Sequence, residues 1–60
     1  MTEKIKSQIL AIRDSGKTNM FDTHTVQYLA NEAGFYELVA YIEDNKSEYV
    51  NFILTGKASE

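Results

Sequence analysis

Ile12-Arg13-Asp14-Ser15-Gly16-Lys17-Thr18-Asn19-Met20-Phe21-Asp22-Thr23-His24 decides the fold, because it contains a helix end, a short elbow and a helix start. Gly16 follows an aliphatic series and can take the left-handed conformation that closes a helix, with Arg13 and Lys17 at the negative end of the helix dipole. Asp22 can accept the free N–H groups of the next first turn, and its charge suits the positive end. Phe21 before this cap and Val26 at the fourth helical position form the pair of a hydrophobic staple, which predicts a buried Phe21. Lys17, Thr18 and Asn19 have no such duty. A connection this short does not need their chemistry to turn, so they are a candidate loop contact.

Upstream, Thr2 is placed to cap a first helix whose Ile5, Ile9 and Ile12 share one face, flanked by Met1 and Gln8, with Leu10 turned away beside Lys6 and Arg13. Downstream, Val26, Leu29, Ala30 and Ala33 form the predicted buried stripe of a second helix that Gly34 stops. Gly34-Phe35-Tyr36-Glu37 also fits a permissive N-cap with Glu three residues on, which implies a sharp corner. Phe35, Leu38, Val39 and Ile42 then give a third helix one apolar face, with Tyr36 and Tyr41 on its two shoulders.

Asn45-Lys46-Ser47-Glu48 has the spacing of a capping box that starts a fourth helix running to about Leu54, before Gly56; one bent helix in place of the last two is the alternative. Tyr49, Val50, Phe52, Ile53 and Leu54 cover most of its circumference, the pattern of a helix that is central or buried on two sides. Lys57 to Glu60 show no core-facing pattern and are expected to fray. The expected architecture is an all-α, compact bundle of three to four short helices forming one domain over residues 1–60.

Sixty residues allow no second domain, and a chain of this size buries only ~60% of the surface exposed when unfolded. With no Cys and one His, neither disulfides nor a structural zinc site can supplement the core. Close helix packing or a homodimer would have to do so. The 43% hydrophobic content, three Gly and no Pro argue against disorder. No stretch has the length of a membrane span or the apolar core of a secretory signal, so the expected location is the cytoplasm. Asn45-Lys46-Ser47 matches a glycosylation sequon, which has no use without export.

Charge is segregated. Lys4, Lys6, Arg13 and Lys17 outweigh Glu3 and Asp14 by two within residues 1–17, whereas residues 18–45 hold five carboxylates and no Lys or Arg. The middle of the chain should repel phosphate backbones. This weighs against nucleic acid even though the second and third helices resemble a helix-turn-helix, because that third helix would present Glu37, Glu43 and Asp44 with no cation. A small helix-turn-helix-like regulator is therefore the alternative function, not the leading one. Gly16-Lys17-Thr18 matches the end of a phosphate-binding loop, but Ala11 stands where the first glycine is needed and a helix stands where the strand should be. Asp22-Thr23-His24 supplies neither a metal ligand set nor a nucleophile with a base. No catalytic residue, cofactor site or metal site is expected, and the chain is not read as an enzyme.

Exposed tyrosines are the better lead. His24, Tyr28, Asn31 and Glu32 lie opposite the apolar stripe of the second helix, and with Tyr36 and Tyr41 they make a candidate protein-contact surface. The run from Ile12 to Asp22, followed by Val26-Gln27, Gly34-Phe35, Tyr49, Phe52-Ile53 and Thr55-Gly56, resembles a family of short bacterial and bacteriophage- or prophage-encoded proteins classed as a domain of unknown function. That resemblance implies a stand-alone small protein of phage, prophage or mobile-element origin and carries over no catalytic or binding residue; an accessory protein acting by protein contact is the function expected from the acidic, Tyr-bearing surface. The expected partner is an unknown host or phage protein.

Overall fold

The computed structural model describes residues 1–56, so the tail expected at Lys57 to Glu60 lies outside the described residues. They form four α-helices, α1 (Glu3–Ser15), α2 (Thr23–Glu32), α3 (Tyr36–Asp44) and α4 (Lys46–Thr55), and no strand. The fold is an all-α small bundle in which α2 and α3 pack most extensively, α1 rests on both, and α4 packs on α3.

α1 starts where Thr2 Oγ1 accepts the Ile5 N–H at 3.1 Å and ends at Gly16, whose φ is +66°. Its buried residues are Ile5, Ile9 and Ile12. Leu10 is half-buried and not turned fully away. The elbow is organised by two side chains. Asn19 Oδ1 accepts the Phe21 N–H at 2.9 Å, and the Asn19 carbonyl accepts the Asp22 N–H at 2.9 Å. Asp22 then caps α2, accepting from Thr25 N–H and from the Thr25 hydroxyl.

Phe21 is not the buried half of a staple. It is 48% exposed, and Met20 takes the inward position instead. The reason is a second demand on the elbow. Tyr49 of α4 is fully buried and donates its hydroxyl to the Met20 carbonyl at 2.7 Å, so the elbow must turn residue 20 toward the core. A buried phenol needs such a partner.

At the next connection α2 closes through backbone bonds alone. Phe35 N–H reaches the Ala30 carbonyl at 2.8 Å and Gly34 N–H the Asn31 carbonyl at 3.1 Å, with Gly34 left-handed at φ +81°. This is the Schellman arrangement. It assigns Gly34 to the end of α2 only, since the N-cap of α3 is Phe35, with no side-chain cap. Ala33 is exposed, not part of the buried stripe, because it is already the C-cap residue and lies past the last core-facing position of α2.

α3 and α4 are separate helices that meet at Asn45, which ends one and starts the other. The expected capping box does not form: the Asn45 side chain makes no cap bond, and Glu48 Oε1 instead accepts the Tyr41 hydroxyl at 2.8 Å. Nor is α4 buried on two sides. Tyr49 and Phe52 enter the core, Val50 and Ile53 are half-buried, and Leu54 is 69% exposed. Among the described residues α4 packs mainly on α3 and lies at the edge of the bundle, so one side of the helix is left uncovered.

The core comprises Ile5, Ile9, Ile12, Met20, Val26, Ala30, Leu38, Ile42, Tyr49 and Phe52, drawn from every helix and from the elbow. Burying an aliphatic or aromatic side chain contributes roughly 1.5–3 kcal/mol, so a core this small leaves little reserve once chain entropy is subtracted.

Candidate protein-contact surface

The seam between α2 and α3 positions the candidate residues. Gln27 Nε2 donates to the Val39 carbonyl at 3.1 Å and to Glu43 Oε1 at 3.2 Å, so Gln27 marks the flank of α2 that borders α3. His24 and Asn31, three residues before and four after it, share that flank by helical periodicity. Tyr28 and Glu32 occupy the next strip outward. On α3, Tyr36 stands one turn before Val39 and Glu43 one turn after, which puts Tyr36 on the flank that borders α2.

Tyr28 and Tyr36, 62% and 67% exposed, are therefore both outward on the paired helices. His24, Asn31 and Glu32 are exposed beside them. Tyr41 is not part of this group. It lies five residues beyond Tyr36, roughly 140° round the helix, is half-buried, and bonds to Glu48 of α4.

The surface is acidic but not uniformly free. Glu37 pairs with Lys4 of α1 at 2.7 Å, both side chains being exposed. Glu43 is held by Gln27 and Asp22 by its capping bonds. The Asp22 carboxyl lies below the ordinary range for an aspartate, first because the Thr25 hydroxyl donates to its charged form and then because the Thr25 N–H does.

Of the loop candidates, Asn19 has a sufficient structural duty in the elbow. Lys17 is exposed and lines a shallow groove of about 330 Å³ between α1 and α2, together with Ala11, Ile12, Leu29 and Phe35 among others. Thr18 is half-buried, its hydroxyl directed at the Asn19 carbonyl at a long 3.5 Å. The Asx pattern around Asn19 was available in the sequence as an Asn two residues before the bonded N–H. The α1–α4 face, with Lys6, Leu10, Arg13 and Ile53 along one groove, was missed; its signal was the apolar excess of the fourth helix.

Among the described residues, no group of three or more His, Asp or Glu side chains is placed to hold a metal ion, and no helix is long and apolar enough to cross a membrane. What the fold and surface define is a small four-helix protein with an aromatic, acidic face. The chain belongs to the family described as a domain of unknown function, DUF5049, whose model matches residues 1–57. No curated protein and no solved structure matches it.

Proposed function

We propose that this chain is a small accessory protein that acts by binding another protein through the α2–α3 face, without catalysis of its own, in the cytoplasm of a bacterial cell and encoded by a phage or mobile element. The observation that carries the binding proposal is the coincidence of two outward tyrosines, Tyr28 and Tyr36, with a segment of 28 residues, 18–45, that contains no Lys or Arg. Tyr presents large area at little entropic cost and is enriched where proteins meet. The resemblance of the Arg13 to Asp22 run to short phage-encoded proteins supports the setting.

The test is a pull-down from host lysate with the folded chain as bait, beside Tyr28→Ala and Tyr36→Ala. A protein retained by the parent and lost in both variants supports the surface; equal recovery in all three removes it. Tight, salt-sensitive retardation of duplex DNA at low salt would replace protein binding with the helix-turn-helix function.

A further inference from the structure

α1 and α4 leave between them an open groove of about 680 Å³ whose apolar floor is Ile9, Leu10, Phe52 and Ile53. We propose that this groove receives a short amphipathic helix of another protein, apolar on its buried side and carrying carboxylates along its flank. Glu3, Lys6, Leu10 and Arg13 line one wall at helical spacing. From residue 3 to residue 13 the wall is ~15 Å long, which matches about three turns of a guest helix.

Charge selects the guest. Lys6 and Arg13 lie four residues before and three after Leu10, so both cations stand on the same strip of α1 as the apolar anchor. Among the described residues, Glu3 is the one carboxylate in the lining. The existing contacts of the two cations, Lys6 to Glu3 at 3.1 Å and Arg13 to Asp14 at 3.8 Å, each end on an exposed carboxylate, 91% for Glu3 and 74% for Asp14, while the Lys6 stem is largely covered at 28% exposure. Pairs that open to solvent contribute little, so exchanging them for a guest carboxylate costs little. A second copy fits less well. Its uncovered apolar helix is α4, whose single carboxylate, Glu48, is already engaged by Tyr41.

The proposal is tested with two model peptides of about twelve residues, three turns of helix. Both carry Leu at positions i, i+3, i+4 and i+7; one carries Glu at the flanking positions and the other Lys. Fluorescence anisotropy at low salt should show the Glu peptide binding at least about tenfold more tightly. The double charge reversal Lys6→Glu/Arg13→Glu should invert that order, and Glu3→Gln should tighten the Glu peptide about twofold to fivefold. Circular dichroism of each variant verifies the fold, which surface substitutions leave intact. Equal affinity for the two peptides, or an order that survives the reversal, overturns the proposal. A concentration-dependent dimer in sedimentation that excludes both peptides from the groove assigns it to a second copy and overturns the proposal as well.

Discussion

The elbow between α1 and α2 and the corner between α2 and α3 solve the same problem with different chemistry. In the elbow, side chains supply the missing hydrogen-bond partners: Asn19 holds the Phe21 N–H and Asp22 holds the first turn of α2. At the corner the backbone bonds to itself, and the only demand on sequence is a residue that tolerates φ +81° at position 34. The elbow also reaches into the core through the Met20 carbonyl, which Tyr49 binds from α4. The elbow therefore couples α4 to the α1–α2 connection through one backbone carbonyl, whereas the corner is closed by bonds between neighbouring backbone groups alone. Substitutions at the two sites should differ in size and in their response to pH.

The largest effect is expected at Tyr49, because it belongs both to the core and to the elbow. Tyr49→Ala should destabilise the fold by roughly 3–5 kcal/mol, enough to unfold a domain of this size. Tyr49→Phe separates the two roles: it keeps the ring and removes the hydroxyl from the Met20 carbonyl, at a cost of about 1–3 kcal/mol. Chemical denaturation of both variants measures the difference, and a neutral Tyr49→Phe would detach the elbow from α4.

Burial pushes the Tyr49 phenol up to about 12 from an ordinary value of 10.0. The neutral form is favoured in the folded protein, so its contribution is complete below the unfolded value and is lost as pH rises through the folded one. Stability should thus fall between pH 10 and about 12, and that alkaline loss should be reduced in Tyr49→Phe.

Gly34→Ala probes the corner. A Cβ at that position meets nothing within 4 Å, so the substitution tests backbone conformation without a steric clash. Holding an alanine in the left-handed region should cost about 1–2 kcal/mol. The loss should be independent of pH, and a thermal melt unchanged by the substitution would show that the corner can be closed in another way.

These two regions also explain what sequence could and could not disclose. Thr2, Gly16, Asp22 and Gly34 were legible because caps and left-handed positions restrict residue type locally. The exchange of Met20 for Phe21 was not, since it depends on a hydroxyl at Tyr49, 29 residues away. Asn45 and Glu48 have the spacing of a capping box, yet Tyr41 captures Glu48, a tertiary competitor invisible to local pattern. The apolar circumference of α4 was visible but misleading, because a residue's polarity does not say whether the fold places another element against it. The outward placement expected of Tyr28 matches its exposure, while grouping Tyr41 with it required knowing how α3 is rotated against α4.

Asp22→Ala measures the local chemistry of the elbow apart from its link to α4. The substitution removes the acceptor that holds the Thr25 N–H and should lower the melting temperature at neutral pH. The Asp22 pKa is lowered in the folded protein, so its contribution is present above the unfolded value and disappears as pH falls through the folded one. Parent and Asp22→Ala melting temperatures should therefore differ at neutral pH and converge at pH below 3.8, whereas parent and Gly34→Ala should stay apart across the same range.

Phe21→Ala is the smallest effect and the sharpest discriminator of how the elbow is held. If Phe21 were the staple, truncating the ring would cost ~3 kcal/mol or more. With the residue 48% exposed and Met20 in the core, the expected loss is about 1 kcal/mol, the part of a full aromatic burial that a half-covered ring retains. Met20→Ala in the same series should cost roughly 2–5 kcal/mol, as truncation of a buried methionine does. The ratio of the two, read from urea denaturation at one pH, reports which of these adjacent side chains faces inward. A larger loss at Phe21 than at Met20 would restore the staple and would require the elbow to rotate away from Tyr49.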